Sequence, residues 1–254
     1  MTSSHPDLRG RTVVVTGGSR GIGAQTARAF AEQGAFVCAV GRDRAALSAV
    51  VTGITESGGT AIGVPADVTD GAALSRLRGE LETRLGPVDV LAAFAGGQGR
   101  PVPTTELTEQ RWHEVLDADL TSAFLTIREF LPGMLGRRQG VILTMSSAAG
   151  RRPGGANLAY GVANAGLVML TRQLAQEAGP SGVRVNCIAP SAIGTERVLA
   201  HMPAEVQEQV AVLHPLRRMG TPEDVARTAL FLASDAASWL TGVTVDVAGG
   251  RVTG

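Results

Sequence analysis

Thr12-Val13-Val14-Val15-Thr16-Gly17-Gly18-Ser19-Arg20-Gly21-Ile22-Gly23 is the stretch on which the fold turns. Five β-branched residues in a row read as a buried strand. A glycine-rich turn follows at once, and Gly21 to Gln33 then carries a helical pattern that Gly34 ends. Glycines allow a tight turn and a close backbone approach. The N-terminus of the helix adds free N–H groups and the positive end of its dipole, which together suit a pyrophosphate. A glycine cluster alone says little; strand, turn and helix in this order point to dinucleotide binding.

Working outward, the same alternation repeats. Phe36 to Val40, Ala61 to Pro65, Val88 to Phe94, Gly140 to Met145, Val183 to Ile188 and Val243 to Val247 read as further strands. Between them lie helical patterns over Asp43 to Ser57, Asp70 to Leu85, Glu109 to Leu135 and Leu158 to Ala178. Thr195 to Leu213 is helical but broken at Pro203, and Pro222 to Ser234 opens with Thr221 as N-cap and a proline in the first turn. Near-continuously apolar strands separated by helices predict an α/β fold, a Rossmann-like doubly wound parallel β-sheet of about seven strands with helices on both faces. No linker, repeat or low-complexity tract divides residues 1–254, so one domain is expected.

Composition removes other classes. With 44% hydrophobic and 18% charged residues the chain is globular. Its formal net charge is zero, and the arginine pairs Arg137-Arg138, Arg151-Arg152 and Arg217-Arg218 are scattered, which argues against nucleic acid as a partner. No apolar run approaches the roughly 18 residues of a membrane span, and Met1 to Arg11 is unlike a signal peptide, so a soluble cytoplasmic protein is expected. Cys38 and Cys187 lie in apolar runs and read as buried thiols; too few ligands are clustered for zinc, and no metal site is expected. All 23 basic residues are arginine. Without lysine, Schiff-base chemistry is excluded except at the amino terminus.

The motifs resemble those of the short-chain dehydrogenase/reductase family from about Gly10 to Gly250. Thr16 to Gly23 looks like the family's TGxxxGxG turn, Asp67-Val68 like its adenine-contacting pair, and Val185-Asn186-Cys187-Ile188-Ala189-Pro190 like its VN…P segment. Ser147 precedes Tyr160 by 13 residues, as the family's catalytic serine and tyrosine do, and Thr195 falls where a threonine meets the nicotinamide amide. The resemblance implies a cofactor site built from Gly17, Ser19, Arg20, Gly21, Ile22, Gly23, Arg42, Asp67, Val68, Ala95, Gly96, Tyr160, Asn164, Pro190, Ile193 and Thr195. It also implies a homo-oligomer, tetramer or dimer, pairing through the long helix from Glu109 and the helix that carries Tyr160.

Charge distinguishes the two nicotinamide cofactors. NAD-binding relatives place a carboxylate on the ribose 2′-hydroxyl at the end of the second strand. Gly41 stands there in this chain, followed by Arg42, whose guanidinium can clasp a 2′-phosphate, with Arg20 able to approach it. NADP(H) is the expected cofactor.

The catalytic pattern is where the chain departs from the family. Asn164 replaces the lysine four residues after Tyr160, Asp119 replaces an asparagine of the long helix, Ala93-Phe94-Ala95-Gly96 replaces Asn-Asn-Ala-Gly, and Ser191 replaces the glycine after Pro190. An ordinary tyrosine titrates near about 10, so forming phenolate at pH 7 costs about 4 kcal/mol. A lysine ammonium would lower that cost and Asn164 cannot; an ionised Asp119 would raise it. Reduction, which starts from the neutral phenol of Tyr160, is therefore hurt less than alcohol oxidation. Ser147, Tyr160, Asn164 and Asp119 are the expected catalytic set, acting on a carbonyl or related C=X group of a small-to-medium apolar substrate. Val198, Leu199, Met202 and Val206 in the lid region, and Phe94, are candidate pocket residues. One alternative stays open: Asp119 as a general base for isomerisation, elimination or cyclisation with the cofactor as scaffold, or a regulatory NADP(H)-binding protein.

Overall fold

The computed structural model describes residues 4–252. Seven parallel strands form one sheet: β1 (Thr12–Thr16), β2 (Phe36–Gly41), β3 (Thr60–Pro65), β4 (Val90–Ala93), β5 (Gly140–Met145), β6 (Val183–Pro190) and β7 (Thr244–Val247). Their order across the sheet is β3-β2-β1-β4-β5-β6-β7, the expected Rossmann-like arrangement. Strand order reverses between β1 and β4, and the crevice beyond their carboxyl ends is where such sheets bind ligands. The register there pairs Thr16 with Ala93.

Helices cover both faces. On one side α1 (Gly21–Glu32), α2 (Arg44–Glu56) and α9 (Pro222–Ala233) enclose a core with Val13, Val15 and Val37. On the other, α3 (Gly71–Leu85), α5 (Ser122–Arg137) and α6 (Leu158–Ala178) enclose Val14, Cys38, Leu91 and Ile142. The alternation Val13-Val14-Val15 thus feeds two cores, which explains why the strand is apolar throughout. Both cysteines are buried free thiols, and burial pushes Cys38 up to about 12.

Caps fix the ends of these helices. Thr221 and Asp224 form a reciprocal capping box at the start of α9. At its far end Arg184, from β6, donates to the carbonyls of Leu232 (2.7 Å), Ala233 (3.2 Å) and Ser234 (3.0 Å), placing a cation on the negative pole of the helix.

Two boundaries differ from expectation, and the break expected at Pro203 is present. The fourth strand is shorter than Val88 to Phe94, because the N–H groups of Phe94 and Ala95 bond to Thr16 Oγ1 (3.0 and 3.2 Å). The long helix expected from Glu109 is α4 (Glu109–Leu116) joined to α5 by a π-turn over Asp117–Thr121. Pro203 divides α7 (Glu196–His201) from α8 (Ala204–Val212), as its missing N–H demands. Among the described residues no helix is long and apolar enough to cross a membrane.

Candidate active site and cofactor cleft

The glycine turn leaves β1 at the switch point. Gly17 has φ +67°, and a Cβ there would lie 2.8 Å from the Phe94 carbonyl oxygen, so only glycine lets the turn press against the loop after β4. Arg20, the N-cap of α1, supplies no side-chain cap. The first N–H groups of α1 are therefore left for an anion, which fits the pyrophosphate of a dinucleotide. Thr195 caps α7 (Oγ1 to Val198 N, 3.3 Å) and packs against Gly21, where a Cβ would meet its Cγ2 at 3.2 Å. Two segments far apart in sequence thus meet at the cleft. Ile193, buried, bridges to Gly220 and anchors the same loop.

At the adenosine end, Arg42 is exposed just after β2. Its charge helps to hold the Asp67 carboxyl low, after the larger effect of hydrogen bonds from Thr69. Val68 is buried in the core beneath. Arg20 is paired with Asp43, which also caps α2 through Ala46 N (3.0 Å).

The catalytic candidates converge on Tyr160. Burial raises its phenol pKa, the Ser147 hydroxyl and the Asn164 amide pull it down, and the Asp119 charge raises it further. All four side chains therefore share one electrostatic neighbourhood. Ser147 follows β5 and its Oγ accepts from Ala149 N (3.2 Å). Asn164 is buried, and its Nδ2 donates to the Tyr160 carbonyl oxygen at 2.9 Å, one helical turn back.

Asp119 lies in the π-turn and is buried. Its Oδ1 accepts from Gly97 N (2.6 Å) and its Oδ2 from Gln98 N (3.3 Å). Burial lifts its carboxyl to about 6, although these two amides and the Arg111 charge act against the rise. The loop it holds passes through Gly96 at φ +142°, where a Cβ would sit 2.5 Å from Asp119 Oδ1. Gly99, three residues on, packs on the Tyr160 ring. Ala95 and Gly96, expected on the cofactor side, belong to this loop.

Sequence reasoning missed two residues that build the site. Thr16 ties the end of β1 to Phe94 and Ala95. Asn157 caps the Tyr160 helix (Oδ1 from Tyr160 N, 2.9 Å), while its Nδ2 donates to the carbonyls of Gln98 (2.8 Å) and Arg100 (2.9 Å). An asparagine directly before a helical pattern is an N-cap signal, the local sign by which this position can be found. Phe94, a candidate pocket residue, is instead buried in the core with α1 and α9.

A family model described as enoyl-(acyl carrier protein) reductase matches residues 17–251. The chain belongs to the short-chain dehydrogenase/reductase family. A cis-4-hydroxycyclohexanecarboxylate dehydrogenase of Sinomonas cyclohexanicum is 38% identical, over 94% of this chain and 96% of its own. A 3β-hydroxysteroid dehydrogenase of Eggerthella lenta is also 38% identical, with 97% and 95% covered. Among solved structures, a 3-oxoacyl-[acyl-carrier protein] reductase from Brucella melitensis with bound NAD superposes with a TM-score of 0.90 at 34% identity, covering 98% of this chain and 94% of that one. Members of this family are oxidoreductases that bind a nicotinamide cofactor, and the cleft described above has the residues to hold one.

Proposed function

We propose that this short-chain dehydrogenase/reductase is an NADP(H)-dependent reductase of a carbonyl or related C=X group. The observation that carries the reading is Tyr160, a phenol held protonated by burial beside the Ser147 hydroxyl. A neutral phenol is an acid waiting for a proton acceptor. Ser147 polarises the acceptor oxygen by hydrogen bonding, and Tyr160 O–H delivers the proton to it. A nicotinamide cofactor, when bound, would supply the hydride. With no lysine in the chain, nothing restores the phenolate cheaply, so the reverse oxidation is slow at neutral pH.

Arg42 and Gly41 support the choice of NADP(H): Gly41 stands where a carboxylate would repel a 2′-phosphate, and a cation follows it. Gly17 to Gly23 hold the pyrophosphate, Asp67 and Val68 the adenine, and Ala95, Gly96, Pro190, Ile193 and Thr195 the nicotinamide side. Asn164, one helical turn from Tyr160, would meet the ribose hydroxyls. Asp119 serves as the clip that shapes the Gly96–Gln98 loop, since both its oxygens already accept backbone amides. A carboxylate so occupied is poorly placed to take a substrate proton, which favours reduction over cofactor-scaffolded proton transfer.

Leu199 and Val206 remain exposed on the lid helices α7 and α8, in keeping with an apolar substrate of small to medium size. Phe124 on α5 and Leu158, Val162 and Met169 on α6 are exposed apolar side chains that support pairing of these helices between subunits. The test is direct. Purified protein, NADPH and a panel of cyclic and acyl ketones should consume the nicotinamide absorbance. Tighter binding of NADH than of NADPH, or no turnover across the panel with NADPH bound, overturns the reading.

A further inference from the structure

A second constellation lies away from Tyr160. His214 is buried at the end of α8, and its Nδ1 lies 2.8 Å from the Val210 carbonyl oxygen. A carbonyl only accepts, so Nδ1 carries the ring proton. In the neutral ring Nε2 then bears the lone pair, and it lies 3.0 Å from Ser191 Oγ. The serine hydroxyl must donate to it. This is the arrangement of an activated serine: a hydroxyl on a neutral imidazole whose tautomer and orientation a third group fixes.

The pair opens on a cavity of about 400 Å³ that Ser147 and Tyr160 do not line. Ala192 and Gly249 help to wall it, and among the described residues their N–H groups make no hydrogen bond. The charged groups in the wall are already neutralised. Arg218 is paired with Asp224 (2.6 Å), and Asp246 with Arg151 (3.0 Å). Such a wall suits a neutral guest better than an anion.

We propose that Ser191 and His214 form a nucleophilic dyad that accepts the acyl group of a short neutral ester. Ser191 Oγ bonds to the ester carbonyl carbon as its proton passes to His214 Nε2. The carbon–oxygen bond to the alcohol breaks, and the alcohol leaves with that proton. Water, giving a proton to the same nitrogen, then cleaves the acyl–serine ester; the acid departs and the hydroxyl of Ser191 is restored. No oxidant or reductant is needed, so the proposal is independent of the reductase reading.

The full-length protein is treated with a fluorophosphonate probe and digested, and the labelled peptide is sequenced by mass spectrometry. p-Nitrophenyl acetate hydrolysis is followed in parallel. The expected label is on Ser191. Ser191→Ala loses label and hydrolysis, and His214→Gln slows both by about a hundredfold or more, the typical worth of a positioned general base. Thermal melts and NADPH titration check that the variants fold. An unlabelled Ser191 in the wild type, a label on another residue only, or hydrolysis unchanged in Ser191→Ala would each overturn the proposal and leave the pair as a packing contact. Because the label is read on the unmodified sequence, misfolding of a variant does not shield it.

Discussion

The nucleotide half and the chemical half of this cleft follow different rules. From β1 to β3 the residues proposed to hold a dinucleotide resemble the family motifs, Thr16 to Gly23 and Asp67-Val68, with Arg42 following Gly41. Around Tyr160 the phenol and Ser147 persist, while the lysine and asparagine that usually flank them are Asn164 and Asp119. Binding draws on many weak, spread contacts. Proton transfer needs one group at the right pKa, and that is where the charges have been rearranged. Burial and the Asp119 charge both raise the Tyr160 phenol, and Asn164 carries no ammonium to oppose them. The contrast separates holding a cofactor from using it in both directions.

The largest way to break the comparison is Tyr160→Phe. Ketone reduction should fall about a thousandfold, in the range usual for a positioned acid, while the NADPH dissociation constant moves by less than about threefold. Equal loss of binding and turnover would mean that the two halves are not separable. Asp119 comes next. The folded chain holds the Asp119 proton more tightly than the unfolded chain does, with a carboxyl lifted from 3.8 to about 6. Its stabilising contribution is therefore full below about pH 4 and lost as pH rises through about 6. Asp119→Asn titrates nothing, so its stability relative to wild type should gain up to about 3 kcal/mol between pH 4 and pH 7. Urea midpoints at the two pH values measure it, and a difference that ignores pH contradicts it.

Arg42→Ala addresses the nucleotide half alone. Loss of a charge-assisted contact to the 2′-phosphate should weaken NADPH about 10- to 100-fold and leave NADH within about twofold. Fluorescence titration with both cofactors decides; parallel weakening of both would assign Arg42 a merely structural part. The smallest effect is expected of Asn164→Lys. An ammonium that lowers the phenol by about one unit should raise alcohol oxidation at pH 7 about tenfold relative to reduction. An unchanged ratio would show that something other than the missing charge sets the direction.

Much of the architecture was legible before any coordinates. The two-core role of Val13-Val14-Val15 follows from a fully apolar strand, and the break at Pro203 from its missing N–H. What stayed hidden was non-local. The π-turn at Asp117–Thr121 is invisible because the helical pattern on either side of it reads as one continuous helix. The apolar run past Ala93 reads as strand, yet Phe94 and Ala95 give their amides to a threonine hydroxyl instead of a ladder. Asn157 announces its capping role locally, but its hold on Gln98 and Arg100 depends on chain segments brought together only by folding.

The seating of α1 against α9 has a further consequence. Ala27 and Phe30 share a core with Val225, Ala226 and Leu230, and Gln25 bonds to Glu223 across the two helices at 2.5 Å. As the chain leaves the ribosome, the helix behind the glycine turn waits uncovered until nearly all of the remaining sequence has been made. Until then its apolar face is open to other proteins, and closing so long a loop is slow.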